Sequence, residues 1–243
     1  MIKGSQPRIL IPARLNAQRL PGKPLMDIQG KPMVVRVAEA CIQAVGRELV
    51  TVSTPDQEIQ EICLKYGIDV IVSSTLCESG TDRLVEYAKS FNDDLLINVQ
   101  GDEPMIPPEI VEDFYNHFMN VAKTCIAVSR IFDDKVLQSR SVVKVATSEN
   151  RLIYASRLPI GMNQGESSTT YFKHTGLYGF TRNDLLQFGS FNRGPLELFE
   201  NVEILRLLER GIPVEVYEVA NFGRAVDSLE DYIFVNKYGR FSS

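Results

Sequence analysis

Arg8-Ile9-Leu10-Ile11-Pro12-Ala13-Arg14-Leu15-Asn16-Ala17-Gln18-Arg19-Leu20-Pro21-Gly22-Lys23-Pro24-Leu25 decides the reading of this chain. Its first six residues form a short apolar run, as expected of a buried strand, and a loop shaped by glycine and proline follows. The loop carries Arg14, Arg19 and Lys23 within ten positions. In open α/β sheets, ligands bind beyond the carboxyl ends of the strands, where strand order reverses. A basic loop at that place reads as a phosphate clamp. Arginine offers a planar fork to phosphate oxygens, lysine a movable point charge, and Gly22 lets the backbone approach closely. A solvated basic turn is the blander alternative, and placement directly after the first strand disfavours it. The loop matches neither GxGxxG nor GxxxxGK[ST], which argues against a Rossmann cofactor site and a P-loop.

Outward from this loop, strands and helices alternate. Met33, Val34, Val37, Ala38, Cys41, Ile42 and Val45 recur at helical spacing over residues 32–46. Residues 49–54 read as a strand, 56–66 as a helix ending at Gly67, 69–72 as a strand, 80–91 as a helix and 94–100 as a strand. This alternation predicts an α/β fold with a doubly wound, mostly parallel sheet and right-handed crossovers. A helical stretch at 109–121 follows, with His117 on its surface. From about 124 the runs become short and β-like (124–131, 142–147, 152–155 and 175–180), with a polar loop at 161–170. A helix at 196–210, a strand at 213–218 and a helix at 228–237 close the chain. The expected organisation is one domain over 1–243 with a smaller β-rich insertion at about 124–195 that covers the site or makes a subunit contact.

Composition narrows the function classes. With 243 residues, 44% apolar and 23% charged, the chain can bury one sizeable core. No apolar run approaches the roughly 20 residues that span a bilayer, and residues 1–7 show no signal-peptide architecture. A net charge of −5 gives no general attraction to nucleic acid. The four cysteines are scattered and only two histidines could join them, so a zinc site is not expected. Three of the cysteines read as buried small hydrophobes, and the reducing cytoplasm is the expected compartment.

A second motif complements the basic loop. Asn98-Val99-Gln100-Gly101-Asp102-Glu103-Pro104 places two carboxylates immediately after an apolar strand. Magnesium takes hard oxygen ligands, typically one or two carboxylates plus substrate phosphates and water. Asp227 supplies a second candidate ligand just before the last helix. Read alone it is an ordinary helix cap, but Ser228 can fill that role and leave Asp227 free. A phosphate clamp beside a magnesium site fits nucleotidyl transfer, which runs mainly on positioning and charge neutralisation. Read on their own, Arg157 is open to a surface ion pair and His174 to a satisfied structural histidine. Ser79-Gly80-Thr81-Asp82 reads as a helix cap whose free N-terminus can also serve a ligand.

These segments resemble the CMP-Kdo synthetases (3-deoxy-manno-octulosonate cytidylyltransferases). The resemblance rests on Ile11–Arg14, Arg19–Leu25, Gly30–Met33, Ser79–Leu84, Asn98–Pro104, Ser156-Arg157, His174–Gly179, Pro195–Glu197, Glu203, Leu205-Arg206 and Val226-Asp227. It implies a fold like that of the nucleotide-diphospho-sugar transferases and a homodimer. The implied reaction is magnesium-dependent, with CTP and 3-deoxy-manno-octulosonate (Kdo) giving CMP-Kdo and pyrophosphate for lipopolysaccharide or capsule. The resemblance makes Lys23, Arg14, Asp102 and Asp227 the catalytic set, with Asp102 and Asp227 on magnesium. Pro12, Ala13, Arg14, Arg19, Lys23, Ser79, Gly80, Arg83 and Gln100 would bind the nucleotide. Arg157, His174, Tyr178, Glu203 and Ile204 would line the sugar pocket. Ile204 departs from the glutamine usual there, which admits a related acidic sugar, amino-substituted or otherwise modified, as the alternative acceptor. Of the other readings, a non-catalytic nucleotide-binding protein is opposed by Lys23, Asp102 and Asp227 together. A sugar-phosphate uridylyl- or guanylyltransferase is opposed by the Arg157 and His174 segments.

Overall fold

The architecture was obtained as a computed structural model that describes residues 5–16, 19–161, 170–220 and 223–239. Chain order begins with β1 (Arg8–Pro12), a small hairpin of β2 (Asp27–Ile28) and β3 (Lys31–Pro32), and α1 (Met33–Val45). Then come β4 (Val50–Thr54), α2 (Gln57–Lys65), β5 (Val70–Val72), α3 (Gly80–Ser90), β6 (Leu95–Val99) and α4 (Pro108–Val121). The second half holds β7 (Cys125–Ile131), α5 (Asp134–Gln138), β8 (Lys144–Ser148), β9 (Arg151–Ser156), β10 (Tyr171–Thr181) and α6 (Arg182–Ser190). It ends with α7 (Pro195–Glu200), α8 (Leu205–Leu208), β11 (Glu215–Glu218) and α9 (Leu229–Tyr238).

One nine-stranded sheet has the order β5-β4-β1-β6-β10-β7-β11-β9-β8. The first four strands are parallel, as the alternation predicts. The chain leaves β1 towards β4 and β5, then returns to β6 on β1's other side, so strand order reverses between β1 and β6. The basic loop leaves β1 and the acidic elbow leaves β6, which places both at this switch point. Beyond β6 the sheet is mixed: β10 runs antiparallel to β6 and β7, while β11 is parallel to β7. The strands within 124–195 are thus hydrogen-bonded into the same sheet as the parallel half.

Side-chain alternation explains the layers. Ile9, Ile11, Ile97 and Val99 face a buried cluster with Val34, Ala38, Cys41, Phe114 and Phe118 of α1 and α4. Leu10 and Leu96 face a second cluster with Leu84, Val85 and Ala88 of α3, Leu185 and Phe188 of α6, and Leu205 of α8. Cys41, Cys63 and Cys125 are buried and all four thiols are free, as read from the sequence.

Three local readings need correction. The expected helix at 196–210 is two short helices, because Asn201 at φ 51° ends α7 in the left-handed region. Residues 182–190 form α6, capped by the Thr181 hydroxyl accepting the Asp184 amide (3.1 Å). His117 is half-buried and stacks on Tyr217 with centroids 3.8 Å apart. The polar loop at 161–170 falls mostly outside the described residues.

Candidate active site

The basic loop is built on β1's exit. The Ala13 amide donates to Ser53 O (3.0 Å) and the Leu15 amide to Asp56 Oδ2 (2.8 Å). Gly22 sits at φ 74°, a left-handed conformation natural to glycine, and opens a tight turn over Lys23–Leu25. That turn aims Lys23 into the crevice. Its Nζ lies 2.7 Å from Asp102 Oδ2 and 3.6 Å from Asp227 Oδ1, and donates to Val226 O (2.5 Å). Arg19 Nη2 reaches the same Asp227 oxygen at 3.0 Å. Arg14 is exposed at the mouth of the loop.

The acidic elbow owes its glycine to crowding: a Cβ on Gly101 would stand 2.9 Å from Pro12 O. The Val226 amide donates to Asp102 O (2.9 Å), tying the elbow to the segment that carries Asp227. Ser228 caps α9 in a capping box with Asp231, so Asp227 is free to face Lys23. Two carboxylates converge on one cation. Among the described residues no group of three or more His, Cys, Asp or Glu side chains forms a metal cage. A pair of hard-oxygen ligands is nonetheless the donor set that suits magnesium when substrate phosphates and water complete the shell.

The residues expected to bind the nucleotide gather around the N-terminus of α3. Ser79 caps it, with Ser79 Oγ accepting the Asp82 amide (3.1 Å) and Asp82 Oδ2 accepting the Ser79 amide (2.9 Å). Gly80 packs so tightly that a Cβ there would lie 3.1 Å from Pro12 Cγ and 3.4 Å from Gln100 Nε2. Pro12, Gly80 and Gln100 are therefore neighbours. Arg83 is buried, donates to Ser79 O (3.0 Å) and has no partner for Nε. With Ser53, Ser73 and Tyr87 it lines a cavity of about 70 Å³, where the Ser73 hydroxyl is also unpartnered.

Among the residues expected to line a sugar pocket, β10 carries a bulge between His174 and Tyr178 around Gly176 at φ 74°. Bulges re-aim side chains beside active sites. The Gly176 amide donates to His174 Nδ1 (3.2 Å), and the imidazole stacks on Tyr178 at 4.2 Å. Burial pushes the His174 pKa down to about 4. The ring is neutral at pH 7, accepts at Nδ1 and so carries its proton on Nε2, which is buried without a partner. Tyr178 is buried; burial, then the charges of Glu203 and Asp102, raise its phenol. Those charges bring Tyr178 electrostatically close to both halves of the site.

Arg157 is placed differently from the sequence expectation. Its Nε donates to Glu200 O (2.9 Å), Nη1 to Arg140 O and Ser141 O (3.2 Å each) and Nη2 to Asn201 O (3.3 Å). Four backbone carbonyls hold the guanidinium, so both prongs of the fork are engaged within the protein. Glu203 accepts the Thr81 amide at Oε2 (3.0 Å), docking its loop on α3. Ile204 is 1% exposed within the second apolar cluster.

Two residues quoted in the acidic-elbow motif but given no role stand out in the structure. Glu103 is raised well above the usual carboxylate range by burial and then by Asp102, with the Lys173 charge opposing. Asn98 is fully buried, and both ends of its amide lack a partner. A lone amide inside Leu95-Leu96-Ile97-Asn98-Val99 was the available signal.

Comparison with known proteins accords with this geometry. The cytidylyltransferase family profile matches residues 8–216. The 3-deoxy-manno-octulosonate cytidylyltransferase of Escherichia coli is 37% identical over 225 residues, covering 90% of each chain. Its namesake in Neisseria meningitidis (serogroup A, strain Z2491) is also 37% identical, over 238 residues, covering 92% of this chain and 94% of its own. A solved CMP:2-keto-3-deoxy-manno-octonic acid synthetase, complexed with CTP, superposes with a TM-score of 0.89 at 35% identity, covering 96% of this chain and 98% of that one.

Proposed function

The chain belongs to the cytidylyltransferase family, on the branch of the 3-deoxy-manno-octulosonate enzymes, and from that premise we propose that it couples CTP to Kdo with release of pyrophosphate. The observation that carries the reading is Lys23 Nζ held between Asp102 (2.7 Å) and Asp227 (3.6 Å) at the switch point between β1 and β6. In the reaction, a sugar oxygen forms a bond to the α-phosphorus of CTP while the bond from that phosphorus to the pyrophosphate oxygen breaks. Lys23, Arg14 and Arg19 draw the triphosphate into the crevice and offset the charge that accumulates on the leaving pyrophosphate. Asp102 and Asp227 would hold magnesium, which when bound neutralises phosphate charge and lowers the pKa of the attacking hydroxyl. Pro12, Gly80 and Gln100 form the wall against which the nucleoside packs, and Arg83 offers it an unused buried donor. His174 presents a neutral Nε2–H, and Tyr178 a protonated phenol, as donors to the acidic sugar.

A related acidic sugar is the second reading, because Ile204 stands where the family has a glutamine and, buried among apolar neighbours, offers no hydrogen bond to an acceptor. We place the enzyme in the cytoplasm, where CTP and reduced cysteines coexist, and propose that it is a homodimer. Exposed apolar side chains support the dimer: Ile153, Leu158, Leu198 and Phe199 are each more than half exposed. Pyrophosphate release with CTP and magnesium, measured against Kdo, 8-amino-Kdo, sialic acid and a neutral sugar, tests the assignment. Release with Kdo supports the first reading and release only with another acid the second. Silence on every acid rejects both.

A further inference from the structure

The N-terminus of α3 is gripped from the sugar side by a buried ionic network. Arg206 of α8 is 5% exposed. Its Nε and Nη2 each lie 2.7 Å from the two oxygens of Glu197, a side chain that is 1% exposed. The remaining guanidinium nitrogen, Nη1, reaches Asp82 Oδ1 at 3.4 Å. The guanidinium plane is fixed further by the Phe188 ring, 3.8 Å beneath it. Asp82 uses its other oxygen in the α3 capping box with Ser79. One turn before Arg206, Glu203 accepts the Thr81 amide, and the Arg206 amide donates to Glu203 O (3.0 Å). Arg206 therefore holds Asp82 through its side chain and lies one backbone hydrogen bond from Glu203.

Both ends of this network carry proposed binding groups. Ser79, Gly80 and Arg83 belong to the nucleotide side, and Gly80 is wedged against Pro12 and Gln100. Glu203 belongs to the sugar side. A buried ion pair is weak support for stability, since replacing both partners with apolar groups of similar volume is often neutral or stabilising. What the bidentate Arg206–Glu197 pair does provide is a fixed geometry. Geometry matters for an in-line displacement, where a misplacement of 1 Å can lower the rate by about 10²-fold.

We propose that Arg206, with Glu197 and Asp82, is a positioning network that holds the nucleotide side of the site in register with the sugar side. It sets the alignment of the two bound substrates more than the affinity for either. The inference rests on the cytidylyl-transfer reading above. Two variants test it: Asp82→Asn, which keeps an acceptor for the Ser79 amide but removes the charge facing Arg206, and the double variant Glu197→Met with Arg206→Met, which removes the pair without leaving one charge buried alone. Circular dichroism and thermal melting establish that each is folded, and kcat is then measured together with KM for CTP and for Kdo. The expected result is a fall in kcat of about tenfold or more, with each KM within about threefold of the unaltered enzyme. Should the double variant fail to fold, Asp82→Asn decides alone. An unchanged kcat in a folded variant, or an effect confined to KM, overturns the proposal. An unaltered enzyme that never turns over CTP fails the transfer reading and this inference with it. An active enzyme with unaffected variants fails the inference alone.

Discussion

The two halves of the proposed site, phosphate and sugar, are made in opposite ways. The phosphate half is charged and half-exposed, and it is carried by segments just outside the sheet: Lys23 is 14% exposed, Asp102 27%, Asp227 22% and Arg19 61%. The sugar half is built on β10 and the α7–α8 loop from side chains that are largely enclosed, such as Tyr178 and Ile204. Charge in a wet crevice attracts a polyanion and tolerates rearrangement when it binds. Buried donors with unmet partners, such as Nε2 of His174, select by shape and hydrogen bonding. The phosphate half should therefore govern rate and the sugar half the choice of acceptor.

The largest expected effect lies in the phosphate half. Asp102→Asn should lower kcat by about 10³-fold or more while leaving the melting temperature near that of the parent, since the residue sits on a loop outside the core. Near-normal rates at saturating magnesium would remove Asp102 from the metal site. Lys23→Met should cost about 10²-fold in kcat through the lost charge. If only KM for CTP rises, Lys23 binds the ground state and the transition state alike.

The sugar half should answer to pH and packing. His174 has a folded-state pKa of about 4 against a usual 6.5, so the unfolded chain takes up the proton first as pH falls. The linked stability is intact above about pH 6.5 and is lost progressively towards pH 4, by an amount of the order of 3 kcal/mol. Urea midpoints measured across that range should fall in the parent, and more shallowly in His174→Gln. Parallel curves would mean that the imidazole is solvated. The smallest effect is assigned to Ile204→Gln. Placing an amide in the second apolar cluster should destabilise the fold by about 1–3 kcal/mol. The same change should raise kcat/KM for Kdo, and no change or a loss would remove Ile204 from the specificity positions.

This contrast also explains what was legible in the sequence. The parallel half of the fold declared itself through short apolar strands alternating with amphipathic helices. Lys23 and Asp102 stood out because charges packed against glycine and proline right after a strand have few structural uses. Ser228 was recognisable as the cap that frees Asp227, since capping is a local pattern. The carbonyl partners of Arg157 were not legible, because Arg140, Ser141, Glu200 and Asn201 are brought together only by folding. The helix at 196–210 hid its break because the left-handed Asn201 sits within a helix-like run. The α6 cap at Thr181 and Asp184 was present, but it lay directly after a strand, and the residues between 180 and 196 were given no element.

The most direct test of the account follows the phosphorus atoms themselves. Phosphorus NMR of the enzyme with CTP, magnesium and Kdo should show the triphosphate signals replaced by pyrophosphate and one new phosphodiester signal in equal amounts. Intact CTP, or orthophosphate without a phosphodiester, would contradict cytidylyl transfer to the sugar.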